Sequence, residues 1–123
     1  MVNLRRDIIQ GLVRLRILRA ASHRPISGVE LSDDLATAGH RVGPGTLYPL
    51  LHDLEKAGWL KSKGKTVKGK RRRYYRITKK VRAQLEQALM AVNQFLFEGL
   101  EPLANPPRAD KRDGLAVATV DGA

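Results

Sequence analysis

No cysteine occurs among the 123 residues, so neither a disulfide framework nor a thiolate metal site is available, and a reducing compartment is expected. Aromatic residues are also scarce, at one Trp, three Tyr and two Phe. The one adjacent tyrosine pair, Tyr74 and Tyr75, alternates to opposite faces of a strand, which argues against a base-stacking platform. No stretch approaches the roughly 18 apolar residues that cross a bilayer. The first ten residues carry Arg5, Arg6 and Asp7, so they lack the unbroken apolar region of a signal peptide. A cytoplasmic protein with no membrane partner is expected. His23, His40 and His52 are scattered, and no carboxylate pair, Gly-rich phosphate loop or metal-ligand spacing accompanies them. The pattern points away from an enzyme, a metal centre or a cofactor.

The most informative absence is local. Between Glu55 and Glu86 there is no acidic residue, while thirteen Lys and Arg fall in the same window. The chain has a formal net charge of +11, and outside this window ten basic residues face twelve acidic ones. A surface that is merely solvated intersperses both signs, so the segregation points to a polyanion partner. At this length one domain with one core is expected.

Leu4 to Ala20 carries apolar residues at Leu4, Ile8, Leu12 and Leu15, flanked by Ile9, Val13 and Ile17, which is helical spacing. Ser22 to Pro25 breaks this helix. Ser27 and Glu30 form a capping-box pattern opening a second helix to about Ala38, with Val29, Leu31, Leu35 and Ala38 apolar and Gly39 as its stop. A third helix spans about Pro44 to Ala57, with Leu47, Leu50, Leu51 and Leu54 on one face. Pro44 suits its first position, whereas Pro49 costs roughly 3 kcal/mol in a helix interior. Either Gly45 relaxes the first turn, or Thr46 is the N-cap and Pro49 still lies in the first turn; the former is preferred. Trp59 to Lys65 and Lys70 to Ile77 then read as strands around a Gly64 to Gly69 loop, with Tyr75 and Ile77 facing the core. Thr78 is placed to cap a last helix, Lys79 to about Gly99, followed by a proline-punctuated stretch to Ala123 that reads as a disordered tail in which Leu115 to Val120 is the apolar part.

The fold expected is mainly α with a small β-hairpin, a winged helix-turn-helix plus a C-terminal dimerisation helix. Residues 1–78 form the DNA-binding domain, 79–99 the dimerisation helix and 100–123 the tail. In such a fold the third helix enters a major groove and the basic hairpin lies along phosphates.

The runs Gly28-Val29-Glu30-Leu31, Gly39 to Leu51, Gly58-Trp59-Leu60 and Arg72-Arg73-Tyr74-Tyr75-Arg76-Ile77-Thr78 resemble the PadR family of bacterial transcriptional regulators. The resemblance covers Leu4 to about Gly99, and the single final helix resembles the smaller subfamily. It implies a homodimeric repressor that binds a palindromic operator in double-stranded DNA and is released by a small-molecule effector or another signal. The family often has an aromatic residue where Val29 stands and a Ser or Thr where Gly43 stands. The first departure would remove an aromatic from the packing of the first two helices, and the second exchanges a hydroxyl N-cap for glycine at a few tenths of a kcal/mol.

Candidate DNA contacts are Arg41, Gly45, Thr46 and Tyr48 around the start of the third helix, with Lys68, Lys70, Arg71, Arg72, Arg73 and Tyr74 on the hairpin. Tyr74 either touches DNA or stacks on the hairpin arginines. His52 reads either as a contact or as an exposed neutral bystander. Candidate dimer residues are Leu4, Ile8, Leu85, Leu89, Val92 and Leu96, because the last helix carries a longer apolar stripe than its own chain can cover. Gly11 would permit close approach of the last helix, and an effector cavity is expected near Phe95 and Phe97. The competing readings are a basic RNA-binding module and a winged helix that binds an acidic protein.

Overall fold

The computed structural model describes residues 2–103; the apolar segment from Leu115 to Val120 and most of the expected tail lie outside the described residues. The first helix, α1 (Leu4–His23), opens on Asn3, whose side chain accepts from the Arg6 N–H at 2.9 Å. It ends three residues later than the spacing suggests, with Arg24 extended in front of Pro25, so only the residue next to the proline leaves helical angles. Its buried residues are Val13, Ile17, Leu18 and Ala21, whereas Leu4, Ile8 and Leu12 are exposed. The reason is length: a 20-residue helix runs about 30 Å, and the small core covers only its C-terminal half.

A two-residue strand follows, β1 (Ile26–Ser27), which leads straight into α2 (Gly28–Thr37). The capping box is present: Glu30 N–H donates to Ser27 Oγ at 3.2 Å, and Ser27 N–H donates to the Glu30 carboxylate at 3.0 Å. That backbone donor, more than the nearby Arg24, holds the Glu30 carboxyl below its ordinary range. A lowered folded value means the stabilisation is present above the unfolded pKa and lost as pH falls through the folded one. Ser27→Ala should lower stability by about 1 kcal/mol, read as a Tm drop of about 4–8 °C. The drop should be largely unchanged on acidification, because the variant keeps the backbone N–H that holds the Glu30 carboxylate. Val29, expected to be packed, is exposed, so an aromatic exchanged there would not alter the core.

Both α2 and α3 (Pro44–Lys56) end on the same device. Gly39 adopts φ +84 and Gly58 φ +82. Each lets the following N–H reach back, His40 to the Leu35 carbonyl at 2.9 Å and Trp59 to the Leu54 carbonyl at 3.0 Å. α3 starts on Gly43 with Pro44 at its first position, and Pro49 lies inside the helix. Gly43 is the N-cap, not Thr46, and its carbonyl accepts from both Thr46 and Leu47. Pro49 leaves the Gly45 carbonyl without its helical donor, but both residues are exposed, so that group is open to solvent.

Two eight-residue strands, β2 (Leu60–Val67) and β3 (Lys70–Ile77), pair antiparallel, and β1 adds to the other edge of β3 in the order β1-β3-β2. The hairpin differs from expectation. The anticipated Gly64 to Gly69 loop is a two-residue turn in which Lys68 (φ 50) and Gly69 (φ 77) are both left-handed, the turn whose twist matches paired strands. Gly64 marks a different need: a Cβ there would sit 2.9 Å from the Arg71 guanidinium, which lies across it. The last helix is α4 (Lys79–Gly99). Thr78 precedes it, but its hydroxyl donates to the Gly58 carbonyl at 2.7 Å, fastening the hairpin exit to the end of α3.

Ile17, Leu31, Leu35, Leu47, Leu51 and Leu60 form the fully buried centre, closed by Tyr75, Ile77, Val81 and Leu85. The chain divides into two units, residues 1–89 and 90–123, and α4 begins within the first. Leu85 therefore belongs to the core of its own chain and not to an exposed stripe, while Leu89 and Val92 are half-buried and Leu96 is exposed. Gly11 faces open space within the chain.

Candidate nucleic-acid interface

Strand alternation sorts the hairpin into two faces. Leu60, Tyr75 and Ile77 point to the core, so the opposite face carries Lys61, Lys63, Lys65 and Val67 from β2 and Lys70, Arg72, Tyr74 and Arg76 from β3. The register sets Lys61 opposite Arg76 and Lys65 opposite Arg72. Like charges directly opposed on a sheet are destabilising. Lys65 Nζ lies 6.0 Å from the centre of the Tyr74 ring, so Tyr74 meets a lysine and not the hairpin arginines. Lys61, Lys63, Lys65 and Arg76 were not among the candidate contacts. Their spacing of two is visible in the sequence, which places all four on strands, but the sequence reading assigns the phosphate contacts to the hairpin end from Lys68 on.

Of the expected hairpin residues, Lys70, Arg72 and Tyr74 share this outer face, and Lys68 occupies the turn. Arg71 and Arg73 lie on the other face, beyond the edge of the core. Arg73 is engaged: it donates to Ser62 Oγ at 2.9 Å, and Ser62 donates to the Glu55 carboxylate of α3 at 2.6 Å. This relay ties the hairpin to the C-terminal half of α3. Beside it, burial first and the Glu55 charge second push the Tyr75 phenol above its ordinary range.

On α3, Leu47, Leu51 and Leu54 are buried, which turns Thr46, Tyr48, Pro49 and His52 outward. Arg41 and Gly45 are exposed as well. The turn before α3 is anchored by Ser32, whose hydroxyl donates to the Val42 carbonyl at 3.2 Å. Arg16 of α1 grips Asp34 of α2 through two nitrogens, at 2.9 and 3.3 Å. Both contacts hold α2 in place beneath α3. Tyr48 is itself positioned, because its ring lies over the backbone of Gly28, where an added Cβ would meet the phenol oxygen at 2.6 Å.

Gly28→Ala should therefore displace the Tyr48 ring. If Tyr48 holds a phosphate, duplex affinity should fall about tenfold or more, since one hydrogen bond to a charged group contributes roughly 1.5–3 kcal/mol and about 1.4 kcal/mol is tenfold. In a Tyr48→Ala background the same change should have no further effect, a non-additivity that a double-mutant cycle measures directly. Additive losses would show that Gly28 acts other than through Tyr48, and unchanged affinity in Tyr48→Ala alone would place Tyr48 off the nucleic acid.

Among the described residues no group of His, Asp and Glu is arranged to hold a metal ion, and no helix is long and apolar enough to cross a membrane.

A model of the PadR-like transcriptional regulator family matches residues 17–87. A transcriptional regulator of Mycobacterium tuberculosis is 41% identical over 95 residues, covering 77% of this chain and 89% of the relative. A PadR-like transcriptional regulator of Bacillus cereus of known structure is 30% identical, with a TM-score of 0.62, covering 76% of this chain and 98% of that one. A PadR-like transcription factor from Bacteroides fragilis shares the fold with a TM-score of 0.66 at 24% identity, over 78% of this chain and 94% of that one.

Proposed function

The chain belongs to the PadR-like family of transcriptional regulators, and from that membership we propose that it is a repressor that binds a palindromic DNA operator as a homodimer. Membership also makes it a regulator and not an enzyme. One observation carries the DNA reading. Cations are set opposite cations along an outward sheet face, with Lys61 against Arg76 and Lys65 against Arg72. An arrangement that costs stability in the free protein is repaid when phosphates lie against it. Thr46 and Tyr48 on the exposed face of α3 would then meet the major groove, Thr46 at a base edge and Tyr48 at a phosphate.

Homodimerisation is supported by apolar surface that the chain leaves uncovered. Leu4 is 73% exposed, Ile8 52%, Leu96 54% and Phe97 87%. Pairing through Leu4 and Ile8 of α1 and Leu89, Val92 and Leu96 of α4 would recover roughly 1.5–3 kcal/mol for each large side chain fully covered. Two-fold pairing also presents two copies of α3 to half-sites about one turn, roughly 34 Å, apart. The exposed Phe95 and Phe97 offer aromatic surface for a small-molecule effector once a second chain encloses them.

The DNA reading is tested by titrating the protein with a duplex from its own upstream region and, separately, with single-stranded RNA of equal length. Preference for RNA, or indifference between the two, overturns it. Replacing Thr46 by Val should change the preferred base at one position of each half-site by about 1–3 kcal/mol. Binding to a panel of base-substituted duplexes reads this, and an unaltered ranking removes α3 from the groove.

A further inference from the structure

At the end of the hairpin remote from the Lys68 turn, the last turn of α1, the roots of β2 and β3 and the first turn of α4 enclose a hollow of about 310 Å³. Five cations and a histidine line it: His23, Arg24, Lys61, Arg76, Lys79 and Arg82. No carboxylate does. Within the described residues Arg24 has a partner in Glu30 at 3.5 Å, whereas Lys61, Arg76, Lys79 and Arg82 make no ion pair. Three separate segments thus deliver cations to one concavity, and their mutual repulsion is uncompensated from within. The first turn of α4 holds no acidic residue, so its backbone dipole adds positive potential to the same space.

We propose that this hollow is a binding site for a phosphate group, distinct from the α3 face and from the hairpin tip. Convergent guanidinium and ammonium donors are the chemistry that selects phosphate, since arginines can offer paired N–H bonds while lysines add point charge. Its place separates it from the α3 face and the hairpin tip, while Lys61 and Arg76 stand at the near end of the outward sheet face. Lys61 and Val67 are six residues apart on one strand, which puts the hollow about 20 Å from the turn. A concavity of this size takes a small phosphorylated compound directly. It can also take a backbone phosphate of DNA flanking the operator. The recognising chemistry is common to both sources, and it does not depend on the DNA reading.

The test uses inorganic pyrophosphate titrated calorimetrically into the full chain, with sodium chloride holding the ionic strength constant. One equivalent per chain should bind and raise Tm. The Arg76→Gln, Arg82→Gln double variant should bind about tenfold more weakly or worse, as loss of two charge-assisted contacts requires. Lys70→Gln with Arg72→Gln, at the other end of the hairpin, should leave affinity within about twofold. Lys61→Gln, a single exposed change that the fold tolerates, should weaken binding about threefold with an unchanged circular dichroism spectrum. Absence of binding up to about 10 mM, the level of a non-specific contact, overturns the proposal. So does an equal loss in both double variants, which would make the effect one of diffuse charge. Repeating the titration on complexes with a short and a long duplex identifies the source. Displacement of pyrophosphate by the longer duplex alone assigns the site to flanking DNA, and equal binding in both assigns it to a free phosphorylated ligand; either result retains the site.

Discussion

Ile8→Glu combined with Leu96→Glu is expected to yield a monomer and to weaken binding to a two-half-site operator by about 10²–10⁴-fold, the gain that linking two binding modules provides. Both side chains are exposed in the single chain, so charge at these positions does not enter its core. Within an interface, each glutamate would be a buried, unpaired carboxylate, which association cannot accommodate. Residues 13–85, which contain every member of the core, are untouched, and thermal unfolding of the first unit should be little changed. Light scattering gives the mass and fluorescence anisotropy the affinity. A variant that stays dimeric would move the interface away from Ile8 and Leu96, and a monomer that keeps full operator affinity would remove the need for pairing.

The second large effect concerns salt. If the dimer neutralises on the order of 8 phosphates, log K should fall against log salt with a slope near −7. Arg71→Ala with Arg72→Ala removes four of those contacts from a dimer, so the slope should flatten to about −3.6. At moderate salt this corresponds to a loss of two or more orders of magnitude, roughly 3 kcal/mol or more. Neither side chain supports the fold: Arg72 sits on the outer face, and Arg71 lies across Gly64 with its surface exposed. Because phosphate contacts carry no sequence information, the order of preference among operator variants should be preserved. A slope that does not change would place both arginines off the DNA. A change in sequence preference would instead give them a role at base edges.

The same residues show how far the sequence could be read. The capping box at Ser27 and Glu30, the glycine stops at Gly39 and Gly58 and the leucines of α3 were legible because each is a local rule, satisfied within a turn or a helix face. The hairpin was legible as a pair of strands but not in its extent. Gly64 read as a loop residue because its real cause, the Arg71 side chain lying over it, is a cross-strand contact. β1 was missed for a related reason: two residues have no periodicity, and Ile26 and Ser27 are a strand only because Tyr75 and Tyr74 lie opposite.

Sequence alone determined the charge segregation, the order of the four helices and the hairpin, and the family, since these depend on composition and on local spacings. Tertiary structure decided which of several apolar stripes is buried. α1 has residues enough for two faces, and the core took Val13, Ile17, Leu18 and Ala21, leaving Leu4, Ile8 and Leu12 outside. It likewise turned Leu85 inward, committed Arg73 to Ser62 and drew Arg24, Lys61, Arg76 and Arg82 to one hollow. Burial and charge convergence are properties of surfaces brought together from distant segments. No local pattern encodes them.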